Sequence, residues 1–269
     1  MMRTLSSRIR TPDGTSFVEH RPDGGVPTRT VVLLHGIGGN ARSCTDLAQV
    51  LAAQGALALC WDAPGYGRSR DPRGDVDLVD RLLGAITARR WGRVDLIGTS
   101  WGGVIATCLA HRRPGTVRSL VLADSTRGSA TSTDRARAMR SRVPELERLG
   151  PEEFAARRAS RLVSPHAGEE VALRVRRQMS RVRLPGYRMA ADFMASTDTG
   201  PLLADITTPT LVLVGEDDVV TGVPESRLLA DRIPGARLTV VPRAGHAAVT
   251  ERPDEVARAV TDFWTALDG

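Results

Sequence analysis

The sequence predicts an α/β fold in which a mostly parallel, doubly wound sheet is covered by helices on both faces and a helical segment is inserted. Between residues 29 and 123, short apolar runs that suit buried strands alternate with stretches of helical periodicity. This alternation is typical of a parallel sheet. From residue 126 to residue 205 no β-branched strand run occurs, and the alternation resumes at residue 210. We therefore expect a core domain formed by residues 1–125 and 206–269, and a helical lid formed by residues 126–205.

The individual elements follow from these patterns in chain order. The first thirty residues predict a hairpin at the sheet edge, turning at Pro12-Asp13-Gly14. The predicted later strands are 30–34, 56–61, 94–98, 117–123, 210–214 and 237–241. The predicted core helices are 43–54, 76–90, 102–111, 225–232 and 254–267, and the lid helices are 144–161 and 168–181. Pro253 suits the first turn of the last helix.

Composition narrows the class of protein. The chain has 269 residues, 41% of them hydrophobic, which is ordinary for one large globular domain with an insertion. Its net charge is +6, yet arginines and acidic residues are interspersed and no nucleic-acid module is evident, so we expect no nucleic-acid partner. No apolar run approaches the roughly 20 residues of a membrane span, and the first residues lack the apolar core of a signal peptide. These features predict a cytoplasmic protein without a membrane partner.

The three cysteines do not indicate a disulfide framework or a zinc site. Cys44, Cys60 and Cys108 are widely spaced and odd in number. Free cysteines usually behave as small core residues. We therefore expect three reduced, buried thiols.

The strongest chemical signal is Gly98-Thr99-Ser100-Trp101-Gly102-Gly103, which lies between an apolar strand and an apolar helix. A nucleophile on such a sharp turn needs small residues two positions before and after it, and Gly98 and Gly102 occupy those positions. The turn raises the hydroxyl above the sheet and directs the helix N-terminus towards it. Ser100 is therefore the candidate nucleophile.

A serine nucleophile requires a base, and the base requires an orienting carboxylate. Of the five histidines, His246 follows the last predicted strand, in a loop that reaches the carboxyl edge of the sheet. Three carboxylates are candidates for its partner. Asp217 and Asp218 follow the strand 210–214, and Asp124 follows the strand 117–123, so the residues alone leave this choice open.

A glycine-rich loop, His35-Gly36-Ile37-Gly38-Gly39-Asn40, follows the first buried strand of the predicted parallel sheet. The backbone N–H groups of Ile37 and Trp101 are the natural donors of an oxyanion hole. No Lys-Ser/Thr pair follows the glycines, so a phosphate-binding P-loop is not indicated. We interpret His35 as a residue that holds the loop.

Together these motifs resemble the α/β-hydrolase superfamily over nearly the whole chain. The resemblance is carried by Leu34-His35-Gly36, Trp61-Asp62-Ala63-Pro64-Gly65-Tyr66-Gly67-Arg68-Ser69, the Ser100 turn, Gly215-Glu216-Asp217-Asp218 and Gly245-His246. It implies the α/β-hydrolase fold, and it implies Asp218 as the acid, three residues after Gly215. Within the superfamily the chain is most similar to the 3-oxoadipate enol-lactonase and small carboxylesterase group, through the Gly215 turn and Thr250-Glu251-Arg252-Pro253-Asp254.

The resemblance implies a serine hydrolase that cleaves an ester or lactone of a small molecule, without a metal or cofactor. A serine rather than an aspartate at the turn argues against haloalkane dehalogenases and epoxide hydrolases. Carbon–carbon bond hydrolases and thioesterases use the same residues, and a non-catalytic binding protein of this fold is a further alternative. The sequence leaves open whether the chain is a monomer or a homodimer.

The predicted lid carries 15 arginines and 10 acidic residues, and so holds +5 of the net charge. One interpretation is that the substrate is an anion, since guanidinium groups bind carboxylates bidentately. The other is that these arginines lie on solvated helix faces and pair with Glu147, Glu152, Glu169 and Glu170.

Overall fold

The computed structural model describes residues 3–269, and its framework is an eight-stranded sheet. The strands are β1 (Thr4–Arg10), β2 (Ser16–Pro22), β3 (Arg29–Leu34), β4 (Ala56–Asp62), β5 (Val94–Thr99), β6 (Val117–Ala123), β7 (Thr210–Gly215) and β8 (Arg237–Val241). Each predicted strand is present, with ends that differ by no more than a residue. The hairpin predicted around Asp13 is formed by β1 and β2.

The strand order is β1-β2-β4-β3-β5-β6-β7-β8. β2 pairs antiparallel with β1 and β4, and all pairs from β4 to β8 are parallel. The prediction of a mostly parallel α/β sheet is therefore confirmed. Because parallel strands end at the same edge, the loops that follow β3, β5, β7 and β8 meet there, where ligands bind in open α/β sheets.

Ten α-helices occur in the described chain. They are α1 (Thr45–Ala53), α2 (Leu78–Ala88), α3 (Trp101–Arg112), α4 (Thr133–Arg140), α5 (Arg142–Arg158), α6 (Glu169–Met179), α7 (Leu184–Ser196), α8 (Gly222–Arg232), α9 (Ala248–Glu251) and α10 (Pro253–Asp268). Within residues 3–269, no helix combines the length and apolar character that crossing a membrane requires.

Alternating side chains of the strands supply two separate cores, one on each face of the sheet. In β3, Val31 and Leu33 face the core that contains α1 and α10, whereas Val32 and Leu34 face the core that contains α2 and α3. Both faces are thus covered, as expected for a doubly wound sheet. The three cysteines are free and buried, in agreement with the prediction.

Between β6 and β7 the described chain forms helices only. Two of them, α5 and α6, match predicted helices, but α4 and α7 were not predicted. Arg-rich α4 buries only Ala136 and Met139, and such a short apolar stripe leaves almost no periodic signal. The kink inside α5 occurs at Gly150, which has a positive φ of 71° and precedes Pro151.

Candidate active site

Ser100 occupies a strained turn between β5 and α3. Its φ of 53° and ψ of −116° place a non-glycine residue in a sparsely populated backbone region. The positions two residues before and after it must be glycine, because any side chain there would clash with neighbouring backbone. A Cβ on Gly98 would lie 2.5 Å from the carbonyl oxygen of Gly102, and a Cβ on Gly102 would lie 2.4 Å from the carbonyl oxygen of Leu34.

The Ser100 hydroxyl lies within hydrogen-bonding distance of His246. The distance from Ser100 Oγ to His246 Nε2 is 3.0 Å, and His246 Nδ1 lies 3.0 Å from Asp218 Oδ2. A carboxylate oxygen can only accept, so Nδ1 carries the proton and Nε2 is free to accept from the serine. The structure therefore brings together the three residues that the sequence nominated as nucleophile, base and acid.

Asp218 is held in its ionised form by the groups around it. Oδ1 accepts hydrogen bonds from the backbone N–H groups of Val220 (2.7 Å) and Thr221 (3.1 Å), and Oδ2 accepts one from the Thr221 hydroxyl (2.6 Å). Burial alone would raise the pKa of Asp218, but these bonds and His246 outweigh it and lower the pKa to about 2.

The two rival carboxylates point to other partners. Asp217 Oδ2 accepts a hydrogen bond from the Ser164 hydroxyl at 2.5 Å. Asp124 accepts one from the Gly215 N–H at 2.8 Å and one from the Ala248 N–H at 3.2 Å. Burial, and then the nearby charge of Asp218, raise the pKa of Asp124 well above its ordinary range. Asp124 thus connects the loop after β7 to the residues that follow His246.

The glycine-rich loop after β3 lies directly against the Ser100 turn. A Cβ on Gly36 would be 3.4 Å from the Ser100 Cβ, so the loop backbone passes within contact distance of the nucleophile. His35 is buried, and burial lowers the pKa of its ring. Its Nδ1 lies 2.8 Å from the Gly36 carbonyl oxygen and its Nε2 accepts a hydrogen bond from the Ala63 N–H at 3.2 Å. The neutral imidazole therefore ties this loop to the loop that follows β4.

The loop that carries His246 is anchored by the carboxylate of Glu251. Glu251 accepts hydrogen bonds from the N–H groups of Gly245 (2.9 Å) and Ser164 (2.8 Å). The Ala247 N–H also donates to the Leu162 carbonyl oxygen at 2.8 Å. Residues 162–164 are thus bonded to the loop that carries His246. Neither Glu251 nor Thr221 was predicted, because such contacts depend on loop conformation and leave no periodic pattern.

A cavity of about 350 Å³ opens onto Ser100 and His246. Its walls include Ile37 and Trp101 from the core, and apolar side chains from the helical segment between β6 and β7, among them Met139, Leu162, Val175 and Met179. Four arginines of that segment also line it: Arg135, Arg142, Arg158 and Arg161. Within residues 3–269, no group of three or more His, Cys, Asp or Glu has a metal-binding arrangement.

Comparison with known proteins identifies the class. A model of the alpha/beta hydrolase family matches residues 31–259. The chain therefore belongs to the alpha/beta hydrolase family, and it is a hydrolase. The resemblance seen in the sequence motifs is thereby confirmed.

Individual relatives cover nearly the whole chain. A 2-hydroxy-6-oxononadienedioate/2-hydroxy-6-oxononatrienedioate hydrolase of Cupriavidus pinatubonensis is 30% identical, over 95% of this chain and 93% of its own length. A pimeloyl-[acyl-carrier protein] methyl ester esterase of Chromobacterium violaceum is 28% identical, over 86% of this chain and 92% of its own length. The solved structure of the enol-lactonase from Burkholderia xenovorans LB400 has a TM-score of 0.83 at 23% identity, over 94% of this chain and 98% of that one. At that identity, the last comparison shows a shared fold.

Proposed function

We propose that this hydrolase cleaves a carboxylic ester or lactone of a small molecule through an acyl-enzyme on Ser100. The observation that carries the proposal is the continuous chain of hydrogen bonds from Ser100 Oγ through His246 to Asp218, with both imidazole contacts at 3.0 Å, in a cavity that Ser100 and His246 line. A nucleophile, a base and an orienting acid in this order are the requirements of acyl transfer.

In the first half-reaction, Ser100 Oγ bonds to the carbonyl carbon while His246 Nε2 takes the hydroxyl proton. The positive imidazole is stabilised by Asp218, whose low pKa keeps it ionised at neutral pH. The backbone N–H groups of Ile37 and Trp101 bind the oxyanion. Collapse of the tetrahedral intermediate breaks the carbon–oxygen bond, and His246 returns its proton to the leaving alkoxide.

In the second half-reaction, water replaces the alcohol. His246 Nε2 takes a proton from the water as its oxygen attacks the acyl carbon, and then protonates Ser100 Oγ as the acid leaves. The strained backbone of Ser100 and the rigid glycine contacts hold the nucleophile in place throughout. A lactone follows the same route, but its alkoxide stays attached to the acyl group.

We further propose that residues 126–205 act as a lid over the core domain formed by residues 1–125 and 206–269. The support is that one cavity is lined both by Ser100 and His246 and by side chains of α4, α5 and α6. A lid of this kind excludes water from the reacting carbonyl and selects the acyl group.

A ketone carbonyl is the second candidate electrophile. The relative from Cupriavidus pinatubonensis acts on an oxo acid, and attack of Ser100 on such a ketone would lead to cleavage of a carbon–carbon bond. Comparing kcat/KM for an ester with that for a 6-oxo dienoate distinguishes the two reactions.

The test is loss of activity in Ser100→Ala. The unmodified protein is expected to hydrolyse p-nitrophenyl butyrate and to react covalently with a fluorophosphonate probe. Ser100→Ala is expected to lose the probe reaction and at least about 10⁴-fold in kcat, because the nucleophile is gone. Ser160→Ala is the matched control, because Ser160 is exposed and does not line the cavity. Probe labelling of Ser100→Ala at the same rate would refute the assignment.

A further inference from the structure

One part of the cavity wall is formed by positively charged side chains. Arg142 begins α5, Arg158 ends it, and Arg161 lies in the 3₁₀ turn that follows. All three line the cavity that contains Ser100, and we refer to them as the arginine cluster. They belong to the predicted lid, whereas the nucleophile and base belong to the core.

Within the arginine cluster, Arg158 packs on an aromatic ring. The Arg158 guanidinium lies 4.9 Å from the centre of the Phe154 ring, and that ring packs edge-on against Tyr187 with centres 5.3 Å apart. Burial raises the pKa of Tyr187, and the charges of Arg142 and Arg158 beside it partly oppose this. Arg158 is thus linked to Tyr187 through the Phe154 ring, and the charges of both Arg142 and Arg158 act on the Tyr187 hydroxyl.

The positive charge of the cluster is only partly neutralised within residues 3–269. Glu145 forms an ion pair with Arg158, but it does not line the cavity. Arg142 and Arg161 take part in none of the ion pairs formed by the arginines of this segment, and the buried Nε of Arg158 has no hydrogen-bond partner. Like charges that line one cavity repel, and a bound anion removes that repulsion.

The carboxylate that does line the cavity is already neutralised. Glu225 is the single acidic residue among the described lining residues, and it accepts hydrogen bonds from the Arg127 side chain at 3.0 and 3.2 Å. Arg127 itself does not line the cavity. The net charge presented to a ligand is therefore positive.

The alternative of surface pairing applies to other arginines of the segment. Arg188 lies 3.9 Å from Glu147 and Arg174 lies 3.4 Å from Glu170, as the sequence suggested. The prediction is wrong for Glu152 and Glu169, which pair with no arginine in the described chain. Instead, Glu153 pairs with Arg157 and Glu145 pairs with Arg158. Among the arginines that line the cavity, pairing therefore leaves Arg135, Arg142 and Arg161 without an acidic partner in the described chain.

We propose that the arginine cluster is an anion subsite, and that the ester or lactone cleaved at Ser100 carries a carboxylate on the part of the acyl group that enters the lid. The inference rests on the proposed hydrolase function and deepens it by naming the substrate class. Guanidinium forks bind carboxylates bidentately, and the apolar side chains elsewhere in the cavity suit a hydrocarbon spacer between the two carbonyl groups.

The experiment compares monomethyl esters of C4 to C8 dicarboxylic acids with methyl esters of monocarboxylic acids of equal length, with the product acid measured by chromatography. We expect kcat/KM to favour the charged ester by about ten-fold or more at the best chain length, because charge-assisted hydrogen bonds contribute most in enclosed sites. The preference should fall as ionic strength rises.

Substitutions then assign the preference to the cluster. Arg142→Gln and Arg161→Gln should each lower the ratio of kcat/KM for charged over neutral esters by up to about ten-fold, mainly through KM, and so remove most of the preference. Arg157→Gln is the matched control on the same helix, because Arg157 is half exposed and pairs with Glu153 at the surface. It should leave the ratio unchanged. Circular dichroism and thermal unfolding verify that each variant is folded.

The outcomes separate the subsite from the hydrolase. Ser100-dependent hydrolysis of neutral esters with no preference for charged ones would overturn the subsite and leave the function standing. If the folded protein cleaved no ester, the function would fail, and the subsite would be decided by the binding of glutarate and adipate to Ser100→Ala. If these dianions raise the melting temperature of Ser100→Ala, and this increase is lost when Arg142→Gln is added, the subsite is supported. If they do not raise it, the subsite is overturned.

Discussion

Replacing Asp218 by asparagine changes the hydrogen bonding of one atom beside His246. The asparagine oxygen takes the place of Oδ1, because two backbone N–H groups donate there. The amide NH₂ then replaces Oδ2, where it faces His246 Nδ1 at 3.0 Å. Two donors cannot share that contact, so the imidazole must move its proton to Nε2. The Ser100 hydroxyl then has no acceptor.

The expected cost is a fall in kcat of about 10⁴-fold, which corresponds to about 5.5 kcal/mol of transition-state stabilisation. The fold should survive, since both backbone hydrogen bonds to the side chain are kept and only the contacts at Oδ2 change, at about 1–3 kcal/mol. The assay is the turnover of p-nitrophenyl butyrate between pH 6 and 9, with urea unfolding measured on the same samples.

Two neighbouring carboxylates supply matched controls. Asp217→Asn should change kcat by less than about ten-fold, because its side chain bonds to Ser164 rather than to the base. Asp124→Asn places an NH₂ group against one of two backbone N–H groups, so it should lower the free energy of unfolding by about 1–3 kcal/mol. This loss of stability should exceed its effect on the activation free energy of hydrolysis. If either control lost 10⁴-fold while Asp218→Asn stayed active, the choice of acid would be wrong.

Two further predictions concern stability. Gly98→Ala should lower the free energy of unfolding by about 3 kcal/mol or more, because its Cβ would overlap the Gly102 carbonyl. Gly84→Ala, on the exposed side of α2, should raise the free energy of unfolding by about 0.5–1 kcal/mol. Urea unfolding measures both changes, and equal effects would contradict the steric argument. The pKa of Asp218 is lowered from 3.8 to about 2, so its ionisation should contribute roughly 2 kcal/mol to the free energy of unfolding. That contribution is present above about pH 4 and is lost as the pH falls towards 2. Asp218→Asn should flatten that part of the stability curve, and an unchanged acid limb would show that another group is responsible.

The central strands of the sheet were predictable because they are buried on both faces and read as apolar runs between turn residues. Thr30 to Leu34 and Thr210 to Val214 are examples, and the observed strands match them to within a residue. The Ser100 turn was equally predictable, because two segments of backbone that pass this closely require glycine at fixed positions before and after the serine. Fold and nucleophile candidate therefore followed from local sequence.

The rest of the site depends on contacts between distant loops. Residue type and position left Asp217, Asp218 and Asp124 open, since each follows a strand that ends at the same edge, and only the family resemblance favoured Asp218. Only side-chain direction separates them, and direction is fixed by neighbours such as Thr221 and Ser164. Helix α4 was missed for a related reason, because it is held by packing against α7 rather than by its own apolar stripe.

The hydrogen bonds that join residues 162–164 to the loop of His246 have a consequence for protein engineering. A chimera that imports residues 126–205 from a relative also replaces the carbonyl that receives the Ala247 N–H and the N–H that reaches Glu251. If the imported backbone does not supply both groups, the imidazole loses anchorage and turnover falls for reasons unrelated to substrate fit. Crossover points that keep residues 162–164 native would let the rest of the segment be exchanged while His246 keeps its position.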